Sequence, residues 1–126
     1  MPEPRAVRLR VALRDGAGAP YEQLREAIRA KIERGTFAPG DRLPPVRAAA
    51  IELDLAPNTV ARAYRELETE GWLVGRGRAG TFVPERLPQG DDPIAALDAA
   101  ARVYVRRARA LGFDADAAAR AVRGLR

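Results

Sequence analysis

Residues 55–83 read LAPNTVARAYRELETEGWLVGRGRAGTFV. Pro57 is a good first helical residue, Val60, Ala63, Tyr64 and Leu67 recur on one face of the helix it opens, and Gly71 ends that helix. Trp72, Leu73 and Val74 then read as a short strand, and Thr81, Phe82 and Val83 as a second one closed by Pro84. Between them GRGRAG, residues 75–80, has the literal spacing G-x-G-x-x-G of a dinucleotide site. That motif works only where a helix opens behind it, so that the helix N-terminus faces a pyrophosphate. Here a strand follows. Strand, Gly/Arg loop, strand is a hairpin, and Arg76 and Arg78 at its tip suit a different phosphate partner, the backbone of a nucleic acid.

Upstream, Val46, Ala49, Ala50 and Leu53 mark a helix of about two and a half turns that ends at Asp54. Leu55 and Ala56 join it to the helix at Pro57, which makes a helix-turn-helix. Such pairs also occur in proteins that never touch DNA, so the outward face decides. On the second helix that face carries Asn58, Thr59, Ala61, Arg62 and Arg65, mostly near the N-terminus. Short polar side chains in the first turn with cations a turn later are what a helix reading the major groove needs. The bland alternative is a solvated face with an Arg65 to Glu68 pair. Arg47, at the start of the preceding helix, is placed for a flanking phosphate or a guanine edge. With the hairpin behind it, the pair reads as a winged helix-turn-helix whose tip is GRGRAG, the glycines permitting close backbone approach and Arg76 and Arg78 supplying charge.

The flanks complete the architecture. VRLRVAL, residues 7–13, alternates as a half-buried strand does, and DGAGAP, residues 15–20, is a turn. A helix opening near Tyr21 turns Tyr21, Leu24, Ile28 and Ile32 inward until Gly35 stops it, and FAPGDRLPP, residues 37–45, is a loop. After a linker over 84–92, Ile94, Leu97, Ala101, Tyr104, Ala108 and Leu111 recur at spacings 3, 4, 3, 4, 3, a heptad seam that predicts dimerisation; folding back onto the winged domain is the other use of such a stripe. Gly112 ends that helix, and Asp114 caps a shorter one with Ala118, Ala121, Val122 and Leu125 inward. The fold class is mainly α with a small β wing (α+β): a winged helix-turn-helix over 1–83 and a two-helix tail over 93–126, too small to enclose a metabolite pocket.

Composition limits the chemistry. The chain has 126 residues, enough to bury about 60 to 70% of the unfolded surface. Its 22 Lys+Arg, of which only Lys31 is lysine, against 17 Asp+Glu give a net charge of +5, which favours a polyanionic partner. With no Cys and no His, disulfides, thiolate metal sites, most zinc sites and most general bases at neutral pH are excluded. No cofactor is expected, nor an enzyme. The N-terminal MPEPRAV lacks the apolar core of a signal peptide and no apolar run approaches the roughly 18 residues that span a bilayer, so a cytoplasmic location is expected.

Residues 20–83 resemble the DNA-binding domain of the GntR family of bacterial transcriptional regulators. The resemblance rests on separated elements in order: P-Y-E-Q-L from Pro20, the loop G-x-x-x-P-G-x-x-L-P (Gly35, Pro39, Gly40, Leu43, Pro44), N-T-V-x-R-A-Y-x-x-L-E from Asn58, and G-T-F-V from Gly80. It implies a homodimer on a palindromic operator and DNA contacts at Arg47, Asn58, Thr59 and the wing around Gly80; Arg62 is added from helix geometry alone, and a repressor is the expected role. The chain departs from the pattern at Pro45, where Ser is usual, at Ala49 in place of Leu, at Asp54 in place of the turn Gly, and at Ala56, which cannot cap the reading helix. The short tail is similar to that of the YtrA type within the family. An adapter that binds protein or RNA through the same face is the rival reading, and the sequence does not decide whether a small-molecule effector exists.

Overall fold

The computed structural model describes residues 3–88 and 92–125. Five helices and one small antiparallel sheet follow one another as α1 (Pro20–Glu33), α2 (Val46–Leu53), α3 (Pro57–Glu70), β1 (Val74–Gly75), β2 (Thr81–Phe82), α4 (Pro93–Ala110) and α5 (Ala115–Arg123). Helix α3 packs against both α1 and α2. Leu24, Ile28 and Ile32 of α1 meet Ala49 and Ala50 of α2 and Val60, Ala63, Tyr64 and Leu67 of α3 in one core, closed by Leu9, Phe37, Leu43, Leu73 and Val83. The apolar stripes expected on the three helices are therefore the ones turned inward, with Tyr21, Val46 and Leu53 only partly covered. The buried Tyr64 hydroxyl donates to Pro44 O at 2.7 Å, tying α3 to the loop before α2, and burial holds its pKa far above the usual phenol value.

The boundaries follow from local backbone chemistry. Asp54 takes the left-handed conformation (φ 54°) that ends α2, where glycine would be unstrained, and Gly71 (φ 88°) ends α3. Ala56 precedes α3 with no side chain to accept from the first free amides. Ala56→Ser is accordingly expected to stabilise the chain by about 1 kcal/mol and raise its melting temperature by a few degrees, read by circular dichroism. An unchanged melting curve would mean that those amides are already satisfied.

Two expectations are corrected. Residues 7–13 do not form a strand: the alternation of burial is kept, with Leu9 buried and Val7, Val11 and Leu13 partly so, but the segment pairs only at its start, where Ala6 bridges Arg42 and Val7 N–H donates to Arg42 O at 3.0 Å. Arg10, at φ 50°, turns the backbone out of the extended path. On α5 only Ala118 is buried, while Ala121, Val122 and Leu125 remain exposed, because this nine-residue helix meets α4 through its first turns alone. The expected linker is seen over 84–88 and at Asp92; residues 89–91 lie outside the described residues.

Candidate nucleic-acid interface

The wing is a hairpin, though its strands are shorter than expected: the first starts at Val74 and not at Trp72, and takes in Gly75, and the second ends at Phe82. Val74 pairs with Phe82 and Gly75 with Thr81, and a 3-10 turn over Gly77–Ala79 closes the tip. GRGRAG thus opens no α-helix and presents no pyrophosphate cradle. The loop that the sequence marks as irregular adds a third rung to the sheet: Leu43 N–H donates to Thr81 O at 2.8 Å, Val83 N–H to Asp41 O at 2.9 Å, and Arg42 bridges Phe82 on one side and Ala6 on the other. Asp41 fixes this loop. It is 4% exposed, and its carboxylate accepts from Ala38 N–H at 2.7 Å and from Arg5 at 2.5 and 3.2 Å.

Asn58, the second residue of α3, is exposed, Thr59 is half-covered, and Arg65 faces solvent on the same side two turns on. Arg65 makes no ion pair with Glu68 among the described residues; the Glu68 carboxylate instead lies over Gly75, 3.2 Å from where a Cβ would stand. Arg47 is the exposed second residue of α2. Neither α2 nor α3 has an acidic residue in its first turn, so the positive ends of both helix dipoles are uncompensated on the side these residues occupy. Such an end is a ready site for a phosphate oxygen.

Arg62 is held differently from the other outward cations. Its guanidinium lies 3.6 Å over the Tyr21 ring centroid and its Nε is 3.2 Å from Glu66, which also pairs with Arg25 of α1. Two cations and an aromatic ring thus pin α3 to α1 at this edge, and hydrogen bonding to Glu66 raises the Arg25 pKa. In the wing, Arg76 sits 5.0 Å from the Phe82 ring centroid, while Arg78, in the 3-10 turn, is exposed at the tip. Gly80 has φ 115° and packs on the Arg42 stem, 3.3 Å from Cδ to the place of a Cβ. Arg42 is the residue sequence reasoning missed: an exposed cation carried on the third rung, beside the wing. The signal was present as the one cation inside a Pro/Gly loop, but nothing in a loop's composition says which strand it will join.

The model of the bacterial regulatory proteins, gntR family, matches residues 20–83, the span from α1 to the end of the wing. The chain is 48% identical over 98 residues to the HTH-type transcriptional regulator Rv1152 of Mycobacterium tuberculosis, an alignment covering 77% of this chain and 78% of that protein. It is 40% identical over 65 residues to the HTH-type transcriptional repressor YtrA of Bacillus subtilis, covering 52% of this chain and 50% of YtrA, so the chain matches about half the length of that relative. Among solved structures, YtrA from Sulfolobus acidocaldarius, a GntR-family transcription factor, superposes with a TM-score of 0.52 at 29% identity over 85% of this chain and 86% of its own. A winged helix-turn-helix with the outward face of α3 open, matched by the family's model across that whole unit and by a relative along three-quarters of the chain, leaves one assignment: this chain belongs to the gntR family of bacterial regulatory proteins, DNA-binding regulators of transcription and not enzymes.

Proposed function

We propose that the chain binds a palindromic operator as a homodimer and represses transcription, with residues 1–83 as the DNA-binding domain and the helices from residue 93 onward as the dimerisation tail. The observation that carries the DNA reading is the acid-free first turn of α3 with Asn58 exposed on it, flanked by Arg47 on α2 and by the Arg-bearing wing. In this reading Asn58 and Thr59 meet base edges, Arg47 meets a guanine edge or a phosphate, and Arg42, Arg65, Arg76, Arg78 and the backbone at Gly80 meet phosphates or the minor groove. Arg62, already stacked and paired, acts chiefly by holding α3 in place.

The dimer reading is supported by α4. Ile94, Leu97 and Leu111 are 71, 69 and 77% exposed, and Tyr104 and Ala101 are exposed beside them, an apolar row that a second copy of the same helix would cover; only Ala108 of the predicted seam is buried within the chain. Tyr104 OH donates to Ala118 O at 2.9 Å, so α5 is tied to α4 next to that row. The repressor reading takes its support from the names of relatives such as YtrA of Bacillus subtilis. No helix among the described residues is long and apolar enough to cross a membrane.

The test is selection of bound duplexes from a random pool with the full chain, followed by binding at several salt concentrations. A pseudo-palindromic consensus, bound far more tightly than bulk duplex by a species that sediments as a dimer, is the expected result. Equal affinity for all duplexes, or preference for single-stranded RNA, would favour the adapter reading.

A further inference from the structure

Helix α4 carries two rows of residues on nearly opposite faces. One is the exposed seam. The other, Ala99, Val103 and Arg106 at helical spacing, lies against the winged domain of the same chain. The contact is centred on Gly35, which is buried at φ 77°: a Cβ there would stand 2.8 Å from Ala99 O and 2.8 Å from Val103 Cγ2. The first of those atoms is helix backbone and the second a β-branched methyl with little rotameric freedom, so neither can give way without moving α4. Gly35 is thus more than the residue that stops α1; it is a notch into which α4 sits.

Two hydrogen bonds brace the notch from the next turn. Arg106 Nη1 donates to Thr36 O at 2.6 Å and Arg107 Nη2 donates to Pro39 O at 3.2 Å. Arg5 Nη2 donates to the same Thr36 carbonyl at 3.0 Å and is anchored in turn by Asp41. Burial and then the neighbouring Arg5 lower the Arg106 pKa, yet a guanidinium stays charged at neutral pH and keeps its donors. The carbonyls used belong to the loop that joins the wing sheet at Arg42 and Leu43. α4 is therefore fixed to the same loop that positions the wing.

We propose that the Gly35 notch, braced by Arg106 and Arg107, makes α4 a rigid strut and so makes the protein select operators by the separation of their half-sites, with Gly35 as a positioning residue. The inference rests on the dimer reading above. In B-DNA each added base pair rotates the next half-site by roughly 34° and shifts it by about 3.4 Å. A strut held on one face by its own domain and on the other by its partner cannot follow that rotation, whereas a hinged one can.

The experiment uses the full chain and the selected operator, with and without two base pairs inserted between half-sites. Gly35→Asn adds a Cβ while keeping a residue that tolerates positive φ. Gly16→Asn is its control, since Gly16 has φ 76° and nothing within 4 Å of a Cβ. The parent and Gly16→Asn are expected to bind the lengthened operator on the order of 10- to 100-fold more weakly than the original, as one half-site loses its advantage of proximity. Gly35→Asn should lose less than about 3-fold on the same insertion while remaining a dimer by sedimentation. Should Gly35→Asn not fold, the pair Arg106→Ala and Arg107→Ala, which leaves backbone and notch intact, must narrow the difference in the same direction. Retention of the parent's discrimination by folded, dimeric variants overturns the proposal, and so does a dimeric parent that ignores the insertion. A parent that sediments as a monomer on DNA overturns the dimer reading together with the strut.

Discussion

A chain ending at Val83 is expected to fold, to remain monomeric, and to bind the operator on the order of 10²-fold more weakly than the full chain. Leu24, Ile28, Val60, Leu67 and Val83, all members of the one core cluster, precede the cut, as does the buried Phe82. What the cut removes from the winged domain is the cover of Gly35, the partly buried Leu87 at the flank of the core, Pro88 beside Gly71, and two hydrogen bonds to surface carbonyls, which water can replace. What it removes from the proposed dimer is the exposed row on α4. Without it the second half-site is bound from free solution instead of at the high effective concentration that a linked partner provides. Sedimentation and a thermal melt check both halves of the expectation. A truncated chain that still dimerises would place the interface in the winged domain and leave the α4 row without a partner.

The reading unit was legible because its signals are local. Pro57, Asp54 and Gly71 each act on their own backbone, and the three-four spacing of Val60, Ala63, Tyr64 and Leu67 is a property of the helix alone. Those residues fell where they were expected. The same locality explains the error at residues 7–13, where alternation correctly reported which side chains are covered but carries no information on whether a neighbouring strand is present to pair with. The exposed half of α5 has a related cause: an apolar stripe says that a surface is to be covered and not what covers it.

In the candidate site the division is between residues that stand free and residues that are already engaged. Arg47, Asn58 and Arg78 are exposed and have no side-chain partner among the described residues, as a reader of outward faces expects. Arg62 shares the outward face of α3 with Asn58, yet Tyr21, 41 positions earlier on α1, stacks on it, and no periodicity within α3 could reveal that. Arg42 was hidden by the opposite circumstance, because its place beside the wing depends on backbone bonds from the loop to β2. The docking of α4 was invisible for a like reason: it consists of a missing Cβ at Gly35, of guanidinium groups on carbonyls, and of Ala99 and Val103, two apolar residues that are too few to mark a stripe.

Free and engaged residues should fail differently when altered singly and tested on the selected operator and on a scrambled duplex across a range of salt. Asn58→Ala removes the proposed base-edge reader and no charge, so a loss of about 1 to 3 kcal/mol per half-site is expected on the operator, with little change on the scrambled duplex or in the salt dependence. Arg78→Ala removes an exposed wing cation, so both duplexes should weaken together and the slope of log K against log salt should shallow by roughly 1 per lost contact, or about 2 for a dimer on two half-sites. Arg62→Ala breaks the stack on Tyr21 and the pair with Glu66, so its effect should appear first in the melting temperature, and in binding only as α3 loosens on α1. Arg47→Ala discriminates between two roles that its position allows: a guanine contact produces the Asn58 pattern and a phosphate contact the Arg78 pattern. The expected outcome is a mixture weighted toward loss on the operator, because Arg47 projects from the acid-free first turn of α2, next to the reading helix. If Asn58→Ala, Arg78→Ala and Arg47→Ala all bind both duplexes as the parent does, then the open face of α3 is not a reading face and GRGRAG is not a wing on DNA.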